Sequence, residues 1–139
     1  MVDSGKILAL DYGLRRIGLA ITDMNRTMVF PRPLLEHKGE VFVFEQLKKM
    51  IAEEGITAIV LGYPYDDRHI ETSQTEKVKA FGTRLEAAVS VPVFFEDEKY
   101  TTAQAEALLD SYGYDYKEKK TQRDSIAAML ILQSYLDRV

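Results

Sequence analysis

No cysteine occurs among the 139 residues. Its absence excludes disulfides and any thiolate zinc site, fits a reducing compartment, and leaves packing alone to hold the fold. Long apolar runs are also missing. "AIVLG" and "AAMLIL" are the longest, far short of the ~20 residues that a membrane-spanning helix needs. The N-terminus shows no basic segment followed by an apolar stretch, so no secretory signal is visible. The expectation is a cytoplasmic protein with no membrane partner. Internal repeats, low-complexity tracts and linkers are absent too. A single domain covering residues 1–139 is expected, a length that supports one real core and not two.

Basic residues are in short supply. Lys and Arg number 18 against 22 Asp and Glu, a formal charge of −4, which is awkward for a nucleic-acid binder because affinity comes largely from cations on phosphates. Distribution matters more than the total. Arg15 and Arg16 form one basic cluster, and Lys117, Lys119, Lys120 and Arg123 another. Acids gathered around a metal would lower the sum while these cations hold the rim, although solvated surface explains them equally well.

What is present reads as alternating strand and helix. "KILALDYG" is β-rich and breaks at Gly13, and "RIGLAITD" resumes within a few residues, which predicts an antiparallel hairpin. "RTMVFPRPLLE" predicts a third strand, confined to an edge by Pro31 and Pro33. From Glu40 to Glu54, Phe44, Leu47 and Ile51 recur at helical spacing, flanked by Val41 and Met50, and Gly55 stops the helix. "TAIVLGYP" is apolar enough for a strand covered on both faces. Ser73 and Glu76 suggest a capping box for a helix with Val78, Phe81 and Leu85 inward. "VPVFFEDE" is the fifth strand. Thr101 and Gln104 suit the cap of a helix holding Ala105, Leu108 and Leu109, which ends at Gly113. The last helix buries Ile126, Leu130, Ile131 and Tyr135. The fold class is therefore α/β: a mixed five-stranded sheet, its first three strands antiparallel and the rest parallel βα units, with helices on both faces.

Three distant acids fall at matching places in that scheme. Asp11 ends the first strand, Glu98 ends the fifth, and Asp124 opens the last helix. Ligands bind beyond the carboxyl ends of parallel strands in open α/β sheets. Carboxylates meeting there would repel unless a cation neutralised them. Oxygen-only ligands suit a hard ion, Mg²⁺ or Mn²⁺. Each acid has a plainer reading: Asp11 as a turn former before Gly13, Glu98 as a charge favouring the next helix N-terminus, Asp124 as half of a Thr121-x-x-Asp124 capping box. The conjunction carries the metal reading. Of Glu96, Asp97 and Glu98, at most two face one site; Glu98 is preferred and Asp97 kept as its neighbour. Tyr63 and Tyr100 would flank the site, where base stacking competes with a plain place in the core. His37 and His69 read as surface residues. The first turn joins strand to strand, so it is neither a Walker loop nor a dinucleotide fingerprint.

With these motifs in view, the chain resembles the YqgF (RuvX) family of RNase H-like nucleases over nearly its whole length. "LALDYGLRRIGLAITD" resembles the family's opening D-x-G-x-x-R-I-G-x-A-x-x-D, and "IVLGYP" its G-x-P turn. "FFEDEKYTTAQAEALL" resembles its D-E-R-x-T-T-x-x-A strand end, and "DSIAAMLILQSYLD" its closing helix. The resemblance implies an RNase H-like fold, a bacterial cytoplasmic setting, and nuclease chemistry with two Mg²⁺ or Mn²⁺ ions held by Asp11, Glu98 and Asp124. It also implies maturation of the 5′ end of precursor 16S rRNA, with Holliday junction resolution as the alternative. Arg15, Arg16, Lys99, Lys119, Lys120 and Arg123 are the expected grip on the nucleic acid, an RNA more than a DNA junction. Three departures stand out: Lys99 where the family usually has Arg, Tyr12 in place of a common Pro, and no glycine in "YPYDDRHIETSQ" after the G-x-P turn.

Two other readings remain open. The first hairpin also looks like that of actin-like ATPases and sugar kinases, but one domain of this length lacks their second lobe. A non-catalytic RNA-binding module would keep the acids and bind no metal. Lacking a convincing apolar patch, the chain is expected to be a monomer or a weak homodimer.

Overall fold

The computed structural model describes residues 4–64, 72–98, 102–115 and 125–139. Five strands, β1 (Lys6–Asp11), β2 (Arg16–Thr22), β3 (Val29–Glu36), β4 (Ile56–Pro64) and β5 (Val93–Glu98), make one sheet in the order β3-β2-β1-β4-β5. β1–β2 and β2–β3 pair antiparallel, whereas β1–β4 and β4–β5 pair parallel. The mixed sheet expected from the sequence is thus observed. The two prolines of β3 sit on an outer strand, where a missing N–H costs no ladder bond.

Four helices are described: α1 (Glu40–Glu54), α2 (Ser73–Ala88), α3 (Thr102–Ser111) and α4 (Ile126–Arg138). Strand alternation divides the core. Leu8 and Leu10 of β1 join Ile59 and Leu61 of β4 against Val43, Leu47, Val78, Phe81 and Leu85 of α1 and α2. Ile7, Ala9, Ala20, Ala58 and Val60 face the other way, against Leu109 of α3 and Ala128, Met129, Ile131 and Leu132 of α4. With both faces covered, β1 and β4 must be nearly all apolar, as their sequences are.

The second face is paved with alanines. Ala9 pairs directly with Ala20, and both are fully buried. Their small side chains let α4 settle close to the sheet. This helix packs on all five strands and is pinned at each end. At its start the Ser125 hydroxyl donates to the Arg32 carbonyl of β3 at 2.6 Å. At its finish Ser134 and Arg138 donate to the Glu96 carboxylate of β5. Thirteen residues span about 20 Å, and four strand spacings span about 19 Å. The helix is as long as the sheet is wide.

Two local expectations are corrected. The α2 cap is Thr72 with Thr75, not Ser73 with Glu76: the Thr75 N–H donates to the Thr72 hydroxyl, and the Thr75 hydroxyl accepts from the Thr72 N–H. Thr72 is the last extended residue, so the whole box starts one position earlier. In α1 the buried positions are Val43 and Leu47; Phe44, Met50 and Ile51 pack only partly and Val41 is exposed. The stripe is centred one residue away from the expected one. Gly55 does end α1 in the left-handed region at φ 71°, its N–H donating to the Ile51 carbonyl.

Candidate active site

Asp11 is the last residue of β1, paired with Gly18. Since Ile7 and Ala9 face α4, the period of two puts Asp11 on that face, at its carboxyl edge. It is half-buried, and its carboxylate makes no hydrogen bond or ion pair with any described residue. The turn that follows is tight. A Cβ at Gly13 would stand 2.4 Å from the Arg16 carbonyl oxygen, so only glycine lets the chain reverse there.

The register carries the row across the sheet. Leu10 pairs with Leu61 and Leu61 with Phe95; one residue further, Gly62 pairs with Glu96. Asp11 and Glu96 therefore share a row, separated by β4 at about 10 Å between backbones. Glu98 lies two residues beyond Glu96, opposite Pro64; its side chain lies outside the described residues. Asp97, opposite Tyr63, falls with Phe95 on the face away from Glu96 by the period of two.

Glu96 is the acid that sequence reasoning underrated. It is 7% exposed, yet its oxygens are occupied: Ser134 Oγ donates at 2.8 Å, Arg138 Nε at 2.9 Å and Nη2 at 2.6 Å. The Glu96 carboxylate holds the Arg138 guanidinium above its ordinary value, first by hydrogen bonding and then by charge. Glu96 is thus committed to holding α4. Asp11 is not committed to any described residue.

Asp124 lies outside the described residues, as do Lys99, Lys119, Lys120, Arg123, Tyr100 and His69. Ser125, which follows Asp124, is anchored on Arg32, and Arg32 shares a row with Leu19 and Leu10. Among the described residues no group of three His, Asp or Glu side chains converges, since Asp11 is the one member of the proposed trio whose side chain is described. Its donor chemistry fits a hard divalent cation: a carboxylate at a strand end whose oxygens no described residue claims. Arg15 and Arg16 are exposed and form no ion pair with any described residue.

The aromatic expectations divide. Tyr63 stacks on Phe95 at 4.4 Å and 6°, with the Lys79 ammonium 5.4 Å from its ring centre. Its faces are taken, and the plain core reading holds. His37 is not the surface residue the sequence suggested. It is half-buried against Tyr12, with the Tyr12 hydroxyl 3.3 Å from Nε2. Burial, then the charge of Glu40, pushes the Tyr12 phenol above its ordinary value of 10.0, with Arg84 opposing. Nothing in the spacing of residues 12 and 37 foretold that contact, because it depends on β3 turning back beside the first hairpin.

The sheet order, the helix laid across it and the acid at the end of β1 define an RNase H-like fold. The architecture matches the fowlpox virus resolvase bound to its Holliday junction DNA at a TM-score of 0.59 and 15% identity, covering 96% of this chain and 97% of that one. It matches Thermus thermophilus RuvC, also solved with a Holliday junction, at 0.54 and 9%, covering 96% and 95%. The family model for RuvX, described as Holliday junction resolvase, matches residues 5–138, and the chain belongs to that family. A protein of Dictyoglomus turgidum named "Putative pre-16S rRNA nuclease" is 37% identical over 132 residues, covering 95% of this chain and 94% of its own length. Chloroflexus aurantiacus has one with the same name at 37% over 131 residues, covering 94% and 86%. No described helix is long and apolar enough to cross a membrane.

Proposed function

We propose that this chain is a metal-dependent nuclease that hydrolyses phosphodiester bonds at the 5′ end of precursor 16S rRNA in the cytoplasm. The names of its full-length relatives support that substrate. The observation that carries the chemistry is the Asp11 carboxylate, on the α4 face at the end of β1 and without a partner among the described residues.

Asp11, Glu98 and Asp124 would hold two Mg²⁺ or Mn²⁺ ions. Bound there, such ions supply an activated water and stabilise the leaving oxygen. Asp11 offers oxygens that no described residue engages, from a strand end held by its pairing with Gly18. Arg15 and Arg16, beside the turn, hold backbone phosphates, with Lys99, Lys119, Lys120 and Arg123 as the further cations of the rim. None of these reads a base, so the shape or single-strandedness of the RNA selects the substrate.

The test is cleavage of a labelled RNA carrying a 5′ extension, with Mg²⁺ and with chelator. Cleavage that survives chelation, or that a folded Asp11→Asn protein retains, ends this reading. A second reading, resolution of four-way DNA junctions, is favoured by the family description and by both structural neighbours. Running a synthetic junction beside the RNA, with mass from light scattering, distinguishes the two, since symmetric cutting calls for a dimer. A Mg²⁺ titration tests the non-catalytic module: an ion at a hundred times its Kd stabilises the native state by about 2.7 kcal/mol, and the module predicts no rise in Tm.

A further inference from the structure

The turn after β1 carries the proposed metal ligand on one side and the proposed phosphate-binding arginines on the other. Its middle is held from outside the site. The Tyr12 ring lies on Phe81 of α2, with centroids 4.1 Å apart and planes at 30°. The His37 ring meets Tyr12 edge-on at 5.7 Å and 70°. The Gly39 N–H donates to His37 Nδ1 at 3.2 Å, so the neutral ring carries its proton on Nε2 and donates it to the Tyr12 hydroxyl at 3.3 Å. That assignment follows from the hydrogen-bond pattern. Finally, the His37 backbone N–H donates to the Arg15 carbonyl at 2.9 Å. The clasp thus joins the turn, the β3–α1 corner and α2, with Arg15 held directly.

Asp11 does not depend on this clasp, because the ladder to Gly18 fixes it. Arg15 does, since it lies between Gly13 and the start of β2 and its carbonyl accepts from the His37 N–H; Arg16 is already fixed by its pairing with Glu36. We infer that Tyr12 and His37 are positioning residues for the substrate backbone: they set the offset of the Arg15 guanidinium group from Asp11. This rests on the nuclease reading above. Cations that bind substrate and transition state alike act on KM and leave kcat alone. The clasp therefore governs how well phosphate is held, and the metal ligand governs turnover.

The experiment uses the full chain with His37→Ala, Tyr12→Phe, their double variant and His37→Gln, assayed well below each variant's Tm. Expected for His37→Ala and Tyr12→Phe is a rise in KM of about three- to tenfold, with kcat held. The double variant adds little beyond either single, because each breaks the same link. His37→Gln, whose amide reaches the Tyr12 hydroxyl, recovers most of the affinity. The slope of log affinity against log salt flattens in the singles by up to ~0.7, one single-strand phosphate contact. Stabilisation by Mg²⁺ is unchanged in all four. A merely structural clasp would lower Tm and leave KM and salt slope in place, and that result overturns the inference. So do additive effects in the double variant. Retained cleavage by Asp11→Asn overturns the nuclease reading instead, so the two failures are told apart.

Discussion

Asp11 and Glu96 occupy the same row on the same face of the sheet, with β4 between them, and have opposite fates. Three donors from α4 engage Glu96; no described residue engages Asp11. One acid is structural and the other is available for chemistry. Replacing Asp11 with Asn should therefore remove cleavage while sparing the fold. Outer partners of metal ligands are worth about 10–100-fold, so loss of a ligand itself should exceed about a hundredfold in kcat. Circular dichroism confirms the fold, and single-turnover cleavage reads the loss.

Arg138→Ala should show the converse. It strips the Glu96 carboxylate of two of its three donors in a buried place, where an unsatisfied acceptor is costly. The expected result is a Tm lowered by several degrees with kcat retained at low temperature. Differential scanning calorimetry beside a cleavage assay checks both halves. A loss of kcat with Tm unchanged would make Glu96 part of the chemistry.

Gly82 sits where α2 meets β5. A Cβ there would come within 2.7 Å of the Phe95 ring and 3.0 Å of Leu61 Cδ2, and Phe95 cannot swing away because Tyr63 stacks on it. Gly82→Ala gains about 1 kcal/mol of helix propensity but meets overpacking of about 1–3 kcal/mol. The net effect should be a loss of up to about 2 kcal/mol in unfolding free energy, read in urea as a lower midpoint with m unchanged.

Asp23 gives a pH dependence far from the acids of the site. The Thr27 hydroxyl, and then the backbone N–H groups of Met28 and Thr27, hold its carboxyl below the usual 3.8. A folded-state value below the unfolded one means that the stabilisation is present above pH 3.8 and lost as pH falls through the folded value. Asp23→Asn should thus be less stable than the parent near neutrality. The two melting curves should converge once pH falls below the folded-state value, where the protonated acid and the amide are alike. A Tm gap that persists or widens in acid contradicts the assignment.

The sheet was legible because its signals are local. Alternation in "KILALD", the short break before "RIGLAITD" and the two prolines of β3 each specify one strand and its neighbour. Val78, Phe81 and Leu85 were readable as the inward face of α2 for the same reason. The Thr72 cap was misplaced because the hydroxyls of Ser73 and Thr72 both serve as N-cap acceptors, and only the backbone decides which stays extended. Glu96 and His37 were underrated for a different reason. Their partners, Arg138 and Tyr12, are 42 and 25 residues away, and no periodicity links positions that meet only through the tertiary fold. Asp11 was found by its place at a strand end, and the structure adds that no described residue claims its oxygens.

The alanines beneath α4 have one more implication. Ala9, Ala20 and Ala58 form a shallow trough, and a bulkier residue anywhere in it would act as a wedge, lifting the helix and tilting the end where Ser125 enters. The geometry of the proposed site is thus tuned by methyl groups buried beneath the helix.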